Sequence, residues 1–229
     1  MRGTLTDMKI GVFDSGIGGK IVAITLQQAF PNDVIQYVND SAHMPYGTKT
    51  SAEIQALTLQ AILPLIHTGC QVIVVACNTA TTNAIQLLRQ TYPAIFFVGL
   101  EPMVKPAAAQ TKTGVIGVCA TPATLTSDGY QHLKDFWTKD IRVIEPDCSN
   151  WAELIEHGQA VNITLESTIR RLRDQQCDVI VLACTHYHWL YDQIRHLAPT
   201  ITILEPTEAI TRRINTFKQD YRSFTASMN

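Results

Sequence analysis

Two stretches decide the fold: Cys70-Gln71-Val72-Ile73-Val74-Val75-Ala76-Cys77 and, 107 positions later, Cys177-Asp178-Val179-Ile180-Val181-Leu182-Ala183-Cys184. Each holds an unbroken apolar run between two cysteines. A strand covered on both faces has no polar side to present, so such runs mark the buried strands of a parallel sheet. Working outward, short apolar runs alternate with amphipathic segments of helical length. The pattern predicts strands near 9–13, 33–38, 71–76, 95–98, 114–118, 141–145, 178–183 and 201–204. Helices are predicted between them, near 18–29, 50–68, 79–91, 122–137, 160–176 and 186–197, with a last one near 206–219. Alternation of this kind implies right-handed crossovers and an α/β architecture.

The duplication extends beyond the two opening stretches. Ile10-Gly11-Val12 returns as Ile116-Gly117-Val118, the strand at 34–38 maps on 141–145 with Asp40 meeting Asp147, and 95–98 maps on 201–204. Four matches in register favour two similar half-domains with parallel, flavodoxin-like sheets, related pseudo-symmetrically around a site between them. The first would comprise residues 8–99 plus 206–229, because a C-terminal helix must bury its apolar side and the first half is within its reach. The second would comprise 100–205, entered through the Pro-bearing stretch 99–106.

Composition limits the function. Of the 229 residues 46% are hydrophobic, too many for a disordered chain, and 18 basic against 20 acidic residues form no basic block to attract nucleic acid. No apolar stretch reaches the length of a membrane span, and residues 1–7 lack the apolar run of a signal peptide and read as a short extension. A cytoplasmic location, where thiols stay reduced, fits the six cysteines at 70, 77, 119, 148, 177 and 184, none of which forms a CxxC pair.

In an open parallel sheet ligands bind beyond the carboxyl ends of the strands. Those ends read Asp14-Ser15-Gly16, Asn39-Asp40-Ser41, Cys77-Asn78-Thr79, Thr121-Pro122-Ala123-Thr124, Asp147-Cys148 and Cys184-Thr185-His186. Many such residues serve only to cap the next helix. Two cysteines at matching strand ends say more. Each would sit at a helix N-terminus, whose free N–H groups favour the thiolate. Facing one cleft from opposite sides, one thiol could take a proton from a small substrate while the other returns one on the opposite face. Zinc binding by Cys77, Cys184 and His186, and a redox disulfide, stay open as alternatives. Cys70 and Cys177 open their strands and read as core; Cys119 and Cys148 default to inert burial. His43, His157 and His188 read as surface or rim residues.

The glycine-rich loop Asp14-Ser15-Gly16-Ile17-Gly18-Gly19-Lys20 invites a nucleotide reading. A P-loop needs Gly where Asp14 stands and Ser or Thr where Ile21 stands, and a dinucleotide fingerprint needs Gly at 21. Both readings fail on side chains. The glycines can bring backbone N–H groups to a small carboxylate, or simply make a tight turn.

Taken together, Gly11–Gly19, Pro45-Tyr46-Gly47-Thr48-Lys49, Val75-Ala76-Cys77-Asn78-Thr79-Ala80, Gly117–Thr124 and Ala183-Cys184-Thr185-His186-Tyr187 resemble the glutamate racemases of the cofactor-independent aspartate/glutamate racemase superfamily. The likeness runs in order from residue 9 to about 205. It implies interconversion of L- and D-glutamate without metal or cofactor, D-glutamate serving peptidoglycan synthesis, and it allows a homodimer. It further implies that Cys77 and Cys184 are the acid/base pair, acting on the D- and L-enantiomer respectively, with Asp14 assisting Cys77 and His186 assisting Cys184. Glu156 matches another acidic position of the family's site. Asp14, Ser15, Pro45, Tyr46, Gly47, Asn78, Thr79, Thr121, Thr124, Thr185 and His186 would hold the substrate. The chain departs from the pattern in being shorter, in His43 for a usual Arg, in His188 for a usual Pro, and along 146–152. Aspartate or broader racemisation, and an inactive amino-acid-binding relative, remain the rival readings.

Overall fold

A computed structural model describes residues 8–227, apart from the side chains at positions 208, 222 and 224–227. The expectation for residues 1–7 lies outside the described residues. The first half runs β1 (Lys9–Asp14), α1 (Gly19–Ala29), β2 (Val34–Asn39), α2 (Ser51–Ala61), α3 (Leu63–His67), β3 (Val72–Val75), α4 (Asn78–Thr91) and β4 (Phe96–Gly99). The second runs α5 (Val104–Gln110), β5 (Val115–Ala120), α6 (Pro122–Leu125), α7 (Asp128–Trp137), β6 (Arg142–Ile144), α8 (Trp151–Glu156), α9 (Leu165–Asp174), β7 (Val179–Ala183), α10 (Tyr191–Leu197) and β8 (Thr202–Leu204). A last helix, α11 (Thr207–Ser227), follows.

Each half builds one four-stranded parallel sheet, in the orders β2-β1-β3-β4 and β6-β5-β7-β8. The two orders correspond strand for strand, which is the duplication seen in the sequence. Register follows suit: Ile10 pairs with Val72 in the first sheet and Ile116 with Val179 in the second. Both opening stretches are central strands, and every residue of β3 and β7 is buried. The first sheet is covered on one face by α1 and on the other by α2 and α4, each face with its own apolar core. The second sheet likewise has a core on each face.

The C-terminal helix returns to the first half. Ile210 and Ile214 are buried in the core beneath α1, and Phe217 stacks on Phe96 with ring centroids 4.0 Å apart. Lys218 pairs with Asp33, whose other oxygen accepts the Met8 N–H at 3.0 Å.

Several expected helices differ. The helix expected over 50–68 is two, since Pro64 has no N–H to continue the ladder and sits in the first turn of α3. The one expected over 122–137 restarts at Ser127, whose hydroxyl accepts the Tyr130 N–H at 3.3 Å and caps α7. Residues 160–162 form a separate 3-10 turn ahead of α9, with Ile163 buried between them. Thr185–Leu190 is a 3-10 segment rather than the start of an α-helix. Its three-residue period turns Cys184, Tyr187 and Leu190 toward one core. Two short helices were not expected: α5 inside the Pro-bearing joint, carried by Ala107-Ala108-Ala109, and α8 beside the ill-matched 146–152 stretch. The last helix extends beyond 219.

Candidate active site

The carboxyl ends of the two sheets face one another, and residues leaving them meet in hydrogen bonds between the halves. Cys77 leaves β3 and caps α4: its sulfur accepts the Ala80 N–H at 3.4 Å and lies 3.2 Å from the Ser15 hydroxyl. The helix N-terminus does act on this thiol through the Ala80 N–H, and in the expected direction, but other effects outweigh it. Burial first, and the Asp14 charge second, outweigh the two hydrogen bonds and push Cys77 up to about 12. Asp14, fully buried at the end of β1, does not bond to the sulfur. Its oxygens accept the Gly16 N–H at 2.8 Å and, across the cleft, the Thr185 hydroxyl at 3.0 Å. Burial raises its carboxyl above the ordinary range, against the nearby His186 and these hydrogen bonds.

On the opposite wall Cys184 leaves β7. It caps no α-helix; its partner is His186 Nδ1 at 3.7 Å. The other ring nitrogen lies 2.5 Å from Glu156 Oε2, and that same oxygen accepts the Ile17 N–H at 3.1 Å from the first half. Burial would lower the His186 imidazolium, but the Cys184 sulfur, the Glu156 carboxylate and the Asp14 charge together hold it up to about 11. Burial likewise acts to raise Glu156, and the His186 and Ile17 bonds prevail and keep it below the ordinary range. So the carboxylate that the glycine-rich loop meets belongs to the chain itself.

Close approach explains the glycines of that loop. A Cβ on Gly18 would stand 2.4 Å from Thr185 Oγ1, and one on Gly16 would stand 2.8 Å from Glu156 Oε2. The rest of the cleft is lined by hydroxyls and amides. Thr79 from the first half and Thr121 and Thr124 from the second form a buried triangle with edges of 2.8, 3.1 and 3.0 Å. Asn78 donates to the Leu100 carbonyl at 2.7 Å, while its buried Oδ1 has no hydrogen-bond partner. Pro45 leads into a 3-10 turn that carries Tyr46 and Gly47, and Gly47 packs against Thr121 so closely that a Cβ would come within 2.8 Å. The structure thus gathers these residues at the facing strand ends, with hydrogen bonds running between the halves through Asp14 and Thr185, Ile17 and Glu156, and Thr79 with Thr121 and Thr124.

Two further residues support the site, Asp40 from a strand end already singled out and Tyr37, which was not. Asp40 accepts the buried Tyr46 hydroxyl at 2.7 Å and pairs with the exposed His43 at 2.8 Å. Tyr37 donates to the Gly16 carbonyl at 2.7 Å and so fixes the loop. Asp40 had a signal in its place at the end of β2; Tyr37, mid-strand, had none. Among the described residues no three His, Cys, Asp or Glu side chains converge in the way a metal ion requires. Cys70 and Cys177 are buried at the far ends of their strands, and Cys119 and Cys148 are buried behind Cys184.

A site of this make-up, two thiols with proton-exchanging partners among hydroxyls, suits acid/base chemistry on a small polar molecule. Comparison with known proteins points the same way. The family model described as Asp/Glu/Hydantoin racemase matches residues 19–214. A glutamate racemase of Ectopseudomonas mendocina is 39% identical over 210 residues, covering 90% of this chain and 80% of that protein. The structure of glutamate racemase from Francisella tularensis in complex with D-glutamate superposes with a TM-score of 0.81 at 27% identity, over 95% of this chain and 83% of that one. The Escherichia coli glutamate racemase, in complex with L-glutamate and an activator, gives 0.80 at 28% identity, over 92% and 82%. With two-thirds of its length and more shared in this way, the chain belongs to the Asp/Glu/Hydantoin racemase family and, within it, stands with the glutamate racemases.

Proposed function

We propose that the protein interconverts L- and D-glutamate by a two-thiol acid/base mechanism that needs no cofactor, supplying D-glutamate for peptidoglycan synthesis in the cytoplasm. The observation that carries this reading is the pair of strand-end thiols, Cys77 and Cys184, on opposite walls of one cleft, each with its own polar partners. The α-proton of an amino acid is only weakly acidic. Removing it leaves a carbanion whose charge spreads into the α-carboxylate, and a site lined by preorganised donors stabilises that charge. The Thr79, Thr121 and Thr124 hydroxyls supply such donors, and the unpaired Asn78 Oδ1 is suited to accept from the substrate ammonium. One thiolate takes the α-proton and the opposite thiol delivers its own to the other face. His186 with Glu156 serves Cys184, and Asp14 with Thr185 joins the two walls.

The domain division into residues 8–99 with 206–229 and residues 100–205 belongs to the same proposal, with the packing of α11 on α1 and β4 in its favour. Circular dichroism of L-glutamate incubated with the purified chain, with L-aspartate in parallel, tests the reaction. Decay of the glutamate signal to zero, faster than that of aspartate, is expected. Glutamate binding without any decay would rule the reaction out. Cys77→Ala and Cys184→Ala should each abolish the decay, since positioned acid/base groups contribute about 10²–10⁴-fold each. A near-normal rate in either variant would exclude the two-thiol mechanism.

A further inference from the structure

The two thiols have chemically unlike partners, and Ser15 is the one for which the resemblance supplies only a substrate contact. We propose that Ser15 is a positioning residue for Cys77, its hydroxyl donating to the sulfur whenever that sulfur carries the negative charge; the idea rests on the racemase reading above. Three observations converge on it. The Ser15 Oγ lies 3.2 Å from Cys77 Sγ, and both residues are buried. Asp14, the neighbour expected to assist this thiol, has its two oxygens engaged by the Gly16 N–H and the Thr185 hydroxyl instead. Among the described residues the other donor to the sulfur is the Ala80 N–H, at a longer 3.4 Å.

The charged and titratable groups around Cys77 sharpen the need. Asp14 from β1 and Cys184 from the opposite wall both repel a thiolate, and Tyr46, which faces it from the 3-10 turn, has its hydroxyl committed to Asp40. Burial is the larger effect, and together with these charges it pushes Cys77 up to about 12. In each turnover, in either direction, Cys77 is a thiolate at one end of the reaction. When it acts as the acid, its S–H bond breaks, the proton passes to the α-carbon, and the electron pair stays on sulfur. When it acts as the base, that pair takes the α-proton and the C–H pair stays on the substrate. Ser15 turns its O–H toward the sulfur in the charged state and can accept from the S–H in the neutral one. A hydrogen bond to a charged group of this kind corresponds to roughly a ten- to hundredfold effect.

The test compares Ser15→Ala and Ser15→Thr in the full chain. Steady-state racemisation of glutamate is measured together with the rate at which iodoacetamide labels Cys77, mapped by mass spectrometry at one fixed mildly alkaline pH. We expect Ser15→Ala to lower kcat by roughly ten- to hundredfold, and to slow Cys77 labelling by a similar factor, with Ser15→Thr restoring part of both. A merely structural role moves labelling the other way, because a smaller side chain loosens the pocket and admits the reagent faster. Unchanged or faster Cys77 labelling in Ser15→Ala, or a rise in KM with kcat intact, overturns the proposal. Labelling needs no turnover, so a wild-type chain that fails to racemise glutamate refutes the racemase reading while the Ser15–Cys77 contact is still judged on labelling alone.

Discussion

Glu156 accepts from His186 on its own side and from the Ile17 N–H on the other, so one carboxylate orients the imidazole and links the halves. Its pairing with His186 has a pH signature whose sign can be worked out. The imidazolium is held up to about 11 against an ordinary 6.5, so its contribution to stability is complete below 6.5 and is lost as pH rises toward 11. The carboxylate is held below its ordinary 4.5, so its contribution is complete above 4.5 and is lost as pH falls further. Thermal melts of wild type and His186→Gln should therefore differ most between those two ordinary values, and the difference should shrink as pH is raised. A difference that stays level into the alkaline range would contradict the pairing. Gly18 makes a second prediction of this scale. With a Cβ 2.4 Å from Thr185 Oγ1, Gly18→Ala should fold normally by circular dichroism yet lose about a hundredfold in racemisation, the usual cost of an ångström's misplacement. Full activity in that variant would mean that the halves need not meet so closely.

Among the elements, α11 is the one whose contacts are most open to test. Its Lys218 reaches Asp33, a side chain that is 4% exposed, and Phe217 and Ile214 cover the first sheet. Lys218→Ala removes the cation paired with the buried Asp33 carboxylate, which should cost about 2–4 kcal/mol and lower Tm by roughly 5–10 °C. Adding Asp33→Asn should recover part of that loss; a Tm that does not change in the single variant would show the pair to be inessential. Elements are also where the sequence was most and least legible. All eight strands were readable because apolar runs such as 72–76 have no other use, and the matching order of the sheets followed from their repetition. The internal breaks at Pro64 and Ser127 were written in a missing N–H and a capping hydroxyl, but a continuous amphipathic pattern hid them. Helix α5 was masked by the prolines around it, and the 3-10 character of Thr185–Leu190 depends on which core those side chains reach, which is a tertiary matter.

Over the whole molecule, the site is assembled by contacts that local sequence cannot reveal. Thr185 meets Asp14 from 171 positions away, and Ile17 meets Glu156 from 139. Strand ends and the resemblance named most of the clustered residues, and His186 stands beside Cys184 as expected. The bond from Thr185 to Asp14 was not legible, nor was the raised Cys77, which follows from burial of a sulfur beside a carboxylate. Because the halves are joined by these bonds and by the return of α11, we expect a single cooperative unfolding transition, seen alike by far-ultraviolet and aromatic circular dichroism. Two separated transitions would show that the halves fold independently.

The unlike surroundings of the two thiols, a hydroxyl and an amide at one and an imidazole at the other, carry a last consequence. Enantiomers have equal free energies in water, so a racemase, however lopsided, cannot favour either at equilibrium. The Haldane relation then forces kcat/KM to be the same for L- and D-glutamate, and the asymmetry can only divide that common ratio differently between turnover and saturation. Progress curves started from each enantiomer should give unequal kcat values offset by equally unequal KM values. Any change to Ser15 or His186 would move both ratios down together.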